Sequence, residues 1–313
     1  MNLEQNILYT LCYFNFLGKP LTLFECWRSL FWFQKERPRI RLLDLEKRLQ
    51  KMPGIEKSQG FYFLKGSSSL IKKRLDSHNL SQFKWKRARK ISKVLALLPF
   101  VRMSGVCNTA AFNIANQKSD IDLLIIVRSG RMWTARFLVT FLVSLLGLRR
   151  HKDKIANRIC LSFYLADSNL NLKSIALKSK GEISDPYLTH WLSKVSPVYD
   201  DGVSREFFDQ NKEILCFAPF SIEYSGVPRR VVKPFVLGEI TKRLQEVLLS
   251  HRLGDTIESF LKRVQLSKMS RNTKSVAKEE NANVIISDQI LKFHENDLRG
   301  HYRDTLAKRF NFV

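Results

Sequence analysis

The stretch MSGVCNTAAFNIANQKSDIDLLIIV, residues 103–127, decides how this chain is read. Its end, DIDLLIIV, has the length and composition of a strand. In a strand, positions i and i+2 share a face, so Asp120 and Asp122 point one way while Ile121 and Leu123 point the other. The run LLIIV is apolar on both faces, which marks a central strand covered on both sides. Carboxylates are costly beside such a run unless a cation or hydrogen-bond donors receive them. Two like charges this close repel, and one takes up a proton unless a divalent cation lies between them. Paired carboxylates together with substrate phosphate are the usual way Mg²⁺ is held.

Ser104-Gly105 supplies a second element. A glycine at a sharp turn lets backbone N–H groups approach a phosphate closely, and the hydroxyl of Ser104 or Thr109 can assist. No G-x-x-x-x-G-K-[ST] or G-x-G-x-x-G occurs, which excludes a P-loop and a Rossmann fingerprint. The carboxylates also stand at the start of their strand, whereas doubly wound folds bind ligands at strand carboxyl ends. On this evidence the pair reads as metal-binding carboxylates or as two surface aspartates where a strand begins.

Outward from this stretch, a helix is expected over about 81–98, ended by Pro99, then a short strand FVRMS, and after Gly105 a loop or short helix. RSG (128–130) turns the chain into a helix over 131–148, and the basic loop RRHKDK leads to an alternating strand RICLSFYLA, 158–166. Strand, turn, strand, helix, strand makes 99–183 an α/β domain. Residues 1–66 read as a self-contained unit of three helices and a hairpin centred on Gly60, the order of a winged helix. Residues 67–98 form a basic connecting helix, and 184–313 a mainly helical region. Within the latter, 267–283 is expected to be a mobile loop and VIISD (284–288) a last strand.

The chain has 313 residues, 44% hydrophobic, with 53 Lys and Arg against 29 Asp and Glu, a formal net charge of +24. That excess predicts attraction to polyanions such as RNA, DNA or nucleotides. It is densest in 67–98, where FKWKRARKISK reads either as a solvated helix face or as a surface for phosphate backbones. Five cysteines without a C-x-x-C pair fit reduced thiols in a cytoplasmic protein better than a zinc site or a disulfide framework. MNLEQ lacks the basic region of a signal peptide. FLVTFLVSLLGL, 137–148, is too short for a membrane span of about 20 residues. It reads as a buried helix, with an interfacial anchor as the alternative, and no membrane partner is expected.

SG…SDIDLLIIV resembles the signature of the nucleotidyltransferase superfamily of the DNA polymerase beta type, in which a Gly-Ser turn precedes Asp-x-Asp on the next strand. LPFVRMSG, GRMWTARFLV, LRRHKDKIANRICLSFYL, DPYLTHWL and LKFHENDLR look more closely like an uncharacterised bacterial and archaeal family of nucleotidyltransferase-domain proteins. The similarity covers nearly the whole chain, the N-terminal unit least. The resemblance implies that Asp120 and Asp122 bind Mg²⁺ or Mn²⁺, and that Ser104, Gly105 and Val106 form the nucleotide-phosphate turn. It implies attack of an acceptor hydroxyl on the α-phosphate of an NTP, with pyrophosphate leaving.

Two departures bear on activity. Val106 stands where the superfamily commonly has Ser. The strand RICLSFYLA, where many active members carry a third carboxylate, has no Asp or Glu; its alternate face reads Cys160, Ser162, Tyr164. An active transferase and an inactive nucleotide- or nucleic-acid-binding relative are therefore both expected outcomes. Arg128 and Arg131 flank the turn after the metal strand and can reach a triphosphate; a cation at a helix N-terminus is electrostatically unfavourable, which singles out Arg131. His294 is a candidate acid, base or ligand, or a structurally satisfied histidine.

Overall fold

The computed structural model describes residues 1–34, 36, 38–151, 153–178, 185–221, 231–271, 284–293 and 297–310. It is a mixed α/β protein, with two sheets among the described residues. The first unit begins with α1 (Leu3–Phe16), whose N-terminus is closed by a capping box. The Asn2 side chain accepts from the Gln5 N–H, and the Gln5 side chain accepts from the Asn2 N–H. After β1 (Leu21–Thr22), Thr22 and Glu25 form a second capping box on α2 (Leu23–Arg28). Then come α3 (Leu42–Lys51), β2 (Ile55–Ser58) and β3 (Phe61–Leu64), in an antiparallel sheet ordered β1-β3-β2. The β2–β3 hairpin turns on Gln59 and Gly60, both at positive φ (49° and 79°), as a two-residue primed turn requires.

The expected self-containment of 1–66 does not hold. Its core takes in Phe220, which stacks on Trp27 at 4.5 Å, and Leu306 and Ala307 of the C-terminal helix α12 (Arg299–Arg309).

The connecting helix α4 spans Leu70–Leu95, within the 67–98 expected for it and longer than the helical stretch read over 81–98. It leads to β4 (Val101–Val106), the single turn α5 (Asn108–Ala111), β5 (Ile121–Val127), α6 (Met132–Leu145) and β6 (Ile159–Ala166). All seven residues of β5 are buried, as its two-sided apolar run predicts. Ile121, Leu123, Ile125 and Val127 face a core shared with α4 and α6, while Leu124 and Ile126 face a second core beyond the sheet.

The rest of the chain completes this sheet rather than only adding helices. Beyond α7 (Pro186–Lys194) the residues SPVYD form β7 (Ser196–Asp200), followed by α8 (Val203–Gln210), α9 (Lys212–Leu215), α10 (Val236–Leu248) and α11 (Arg252–Ser270). A short hairpin, β8 (Ile285–Ile286) and β9 (Ile290–Lys292), precedes α12. The sheet order is β7-β4-β5-β6-β9-β8, with β5–β6 parallel across α6 and every other pair antiparallel. Most of the expected loop 267–283 lies outside the described residues, but its start is the end of α11.

Among the described residues no helix is long and apolar enough to cross a membrane. The helix expected to be buried, α6, is covered on one side only, leaving Phe137, Phe141 and Leu145 exposed; α10 exposes Val236, Leu237, Ile240, Leu244, Val247 and Leu248.

Candidate metal and phosphate site

The carboxylate pair lies at the N-terminal end of β5. The strand is pinned there by the Cys107 N–H, which donates to the Asp122 carbonyl at 3.1 Å, and by the Ile121 N–H, which donates to the Arg158 carbonyl at 2.8 Å. Asp122 is 8% exposed. Burial, then the neighbouring Asp120 charge, pushes its carboxyl up to about 7, against donation from Asn108 and Cys160 and the nearby Arg150 charge. This is the conflict of like charges that the spacing predicts.

The neighbour across the parallel ladder is Cys160, in register with Asp122. Asp120, Asp122 and Cys160 bring two carboxylate oxygens and a sulfur within 4.8 Å of one another. Burial, with both carboxylates, pushes the Cys160 thiol up, so it remains protonated. Oxygen donors of this kind suit Mg²⁺ or Mn²⁺ completed by phosphate and water; a neutral thiol adds no ligand for a hard cation. The donor set therefore fits such an ion through Asp120 and Asp122.

The alternate face expected for β6 breaks at a bulge. Asp122 pairs with Cys160, but Leu124 pairs with Phe163, so two steps on β5 match three on β6. Cys160 and Phe163 flank the extra residue, and Tyr164 turns into the core on the other side of the sheet.

Ser104, Gly105 and Val106 do not form a turn, contrary to expectation. They lie inside β4, in register with Ile125, Leu124 and Leu123 on one edge and with Tyr199, Pro197 and Ser196 on the other. Ser104 is fully buried and its hydroxyl donates to the Ser92 hydroxyl of α4 at 2.9 Å. A Cβ on Gly105 would meet Met103 Cε at 3.3 Å and Val195 Cγ1 at 3.4 Å, so close packing accounts for the glycine. The chain leaves the sheet two residues later, at Cys107 and Asn108. Asn108 has φ of 52°, a left-handed conformation that Asn tolerates. Its amide donates to Asp122 and its Oδ1 accepts from Trp191 Nε1 at 2.8 Å.

Arg131 also lies elsewhere. It follows the C-terminal end of β5, about 17 Å along the strand from Asp122. Its guanidinium pairs with Asp255 at 2.7 Å and its Nε donates to the Leu249 carbonyl at 3.1 Å. The buried α6 N-terminus it flanks is served by Glu258, whose carboxylate accepts from the backbone N–H groups of Trp133 (2.9 Å) and Thr134 (2.8 Å). Arg128 is at the same end, donating to Ser250 at 3.2 Å. His294 lies outside the described residues.

Of the cations not singled out from the sequence, Arg150 reaches the carboxylates and Lys84 reaches the loop before them. Residues 148–150 run beside β6, with the Ile159 N–H donating to Leu148 and the Arg150 N–H to Ile159 (2.8 and 2.9 Å). This brings Arg150 to Asp120 at 2.8 Å while its side chain stays 48% exposed. Lys84, inside the basic run of α4, is fully buried, and its ammonium donates to the Ser119 carbonyl and Asn157 Oδ1, both at 2.7 Å. It thus holds the loop that leads into Asp120. Phe83, Lys86, Lys90 and Lys93 recur at helical spacing on the exposed side of the same helix.

No protein-family model, curated protein or solved structure matches this chain.

Proposed function

We infer that this protein is a Mg²⁺- or Mn²⁺-dependent nucleotidyltransferase that moves a nucleoside monophosphate from an NTP to a hydroxyl acceptor. The observation that carries this reading is the convergence of Asp120 and Asp122 at the mouth of a buried strand. There burial, and then the Asp120 charge beside it, push the Asp122 carboxyl up to about 7. The sheet in which β4, β5 and β6 are neighbours supports a nucleotidyltransferase-type core, and the helices and hairpin of 1–66 support a winged-helix-like unit. Both remain part of the same inference.

In this reading Asp120 and Asp122 would hold the ion, which would supply charge neutralisation to the phosphates. The acceptor oxygen bonds to the α-phosphorus, the bond to the bridging oxygen of the β-phosphate breaks, pyrophosphate departs and the hydroxyl proton passes to solvent. Arg150, which pairs with Asp120 at 2.8 Å and keeps its side chain half exposed, would be the cation nearest a triphosphate bound at this pair. Asn108 keeps Asp122 oriented, and Lys84 keeps Asp120 in place through Ser119. The stripe Phe83, Lys86, Lys90, Lys93 favours RNA as the acceptor, since cations spaced around an aromatic suit a phosphate backbone and its bases.

A second reading, a nucleotide-binding relative that turns over slowly or not at all, is favoured by Cys160. A thiol that keeps its proton stands where a third carboxylate would help activate the acceptor, and such a base is worth about 10²–10⁴ in rate.

The test is incubation of the protein with each α-³²P-labelled NTP, Mg²⁺ or Mn²⁺, and cellular RNA, beside an Asp120→Asn/Asp122→Asn control. Label on RNA that the double variant does not give establishes the transferase. Metal-dependent NTP binding without label transfer to RNA or to small hydroxyl acceptors leaves the binding role.

A further inference from the structure

Beside the carboxylates lies a cavity of about 170 Å³ whose walls include Phe163, Tyr187, Trp191 and Tyr302. It is smaller than the ~300–1,000 Å³ of pockets that enclose a drug-sized ligand, and so takes one flat ring system rather than a whole nucleotide. Phe163 and Trp191 have centroids 5.6 Å apart, and Tyr187 and Tyr302 lie parallel at 5.9 Å. The β6 bulge puts Phe163 here, opposite Leu124, which is two residues along β5 from Asp122. Two residues of strand span about 7 Å, the scale of one ribose between a base and its phosphate. Asn108 joins the two places, lining the cavity, donating to Asp122 and accepting from Trp191.

The charges around the cavity cancel. Lys292 pairs with Asp297 at 3.1 Å, and Arg299 pairs with Asp297 at 2.8 Å and with Asp185 at 3.0 Å, so two cations face two carboxylates. A phosphate gains nothing from such a compensated set, whereas the half-exposed Arg150 lies on the Asp120 side. Aromatic walls, a neutral lining and this distance suit an uncharged heteroaromatic ring.

We propose that the cavity walled by Phe163, Tyr187, Trp191 and Tyr302 is the subsite for the nucleobase of the donor nucleotide. The subsite rests on the transferase reading for the position of the phosphates. Asn108 makes it a coupled one, because a ring seated on Trp191 presses on the residue that orients Asp122.

Calorimetric titration of the full chain with Mn²⁺-tripolyphosphate and with the Mn²⁺ complexes of ATP, GTP, CTP and UTP separates base from phosphate. At least one NTP binds about 10-fold or more tightly than tripolyphosphate, the scale of one base–aromatic stack. Tyr302→Ala removes that gain and leaves tripolyphosphate affinity unchanged, while Tyr302→Phe keeps both. Should Tyr302→Ala not fold, hydrogen exchange on the unaltered protein replaces it, with NTP but not tripolyphosphate slowing residues 187–191 and 299–303. NTPs that bind no tighter than tripolyphosphate, or a gain that survives Tyr302→Ala, overturn the base subsite while Asp120/Asp122-dependent tripolyphosphate binding keeps the metal site. Absence of binding by every one of these ligands overturns both.

Discussion

Asp122 and Cys160 face each other across the parallel β5–β6 ladder, and the carboxylate and thiol share one cluster with Asp120. A residue on β6 at this position is therefore placed to act on whatever the two aspartates hold. Cys160→Asp puts a third carboxylate there. With Mg²⁺ or Mn²⁺ present, nucleotidyl transfer by this variant rises by about 10²-fold. Without metal its melting temperature falls, because a third charge joins two that already repel. Cys160→Ser leaves both quantities near the parent value. Transfer that stays flat in Cys160→Asp, with the variant folded, would mean that β6 is not the strand that assists the acceptor.

Lys84 provides the link between the basic helix and the site. Burial pulls its ammonium down, yet it has two acceptors at 2.7 Å, one of them the Ser119 carbonyl next to Asp120. Lys84→Met keeps the volume and leaves the Ser119 carbonyl and Asn157 without their donor, at a cost of about 1–3 kcal/mol. Thermal unfolding registers that loss. The stabilisation that Mn²⁺ confers on the folded protein shrinks in parallel, because Asp120 is no longer fixed. A variant that loses stability but keeps the full metal response would make Lys84 purely structural.

The parts of this site that could be read in advance are those written in a short period. β5 has alternating aspartates and then an apolar run, and both survive intact in the fold. The first half of α4 turns Arg74, Ser77, Ser81 and Lys84 inward, so its basic composition marks it and an apolar repeat does not. β7 is five residues with a proline, tolerable only because it is a sheet edge. The β6 bulge has no signature in ICLSFYLA, and it decides that Phe163 rather than Ser162 lies two steps from the Asp122 partner's face. Arg150 reaches Asp120 through pairing between 148–150 and Ile159, which sequence spacing does not encode. Gly105 drew attention because glycine often marks a turn, yet here it answers to Met103 and Val195.

Arg131 is tied to Asp255 and the Leu249 carbonyl away from the carboxylates, whereas Arg150 reaches Asp120. Arg131→Met costs about 1–3 kcal/mol of stability, since the Leu249 carbonyl loses its donor. It leaves Mn²⁺-tripolyphosphate affinity unchanged. Arg150→Met leaves stability nearly unchanged and weakens tripolyphosphate about 10-fold. Thermal melts and calorimetry on the two variants give this crossed pattern. Weaker tripolyphosphate binding in Arg131→Met would return that residue to the phosphate site.

Acid stability depends on Glu25, which joins the first unit to α4. Burial works against its charge, but Lys19 at 3.2 Å, Arg74 at 2.8 Å and the Thr22 N–H outweigh it and hold the carboxyl down to about 2. The folded value lies below the ordinary glutamate value of 4.5, so the stabilisation is present above pH 4.5 and is lost as pH falls towards 2. The shift corresponds to about 3 kcal/mol. Burial acts on Lys19 as well, pulling its ammonium down from the ordinary lysine value, against the Glu25 charge. Glu25→Gln leaves Lys19 and Arg74 buried without their counter-charge, which costs about 3–5 kcal/mol at neutral pH. Melting temperatures of both proteins between pH 7 and pH 3 therefore converge as the acid strips the parent of the same charge. Curves that run parallel across this range would show that Glu25 is not the group that titrates.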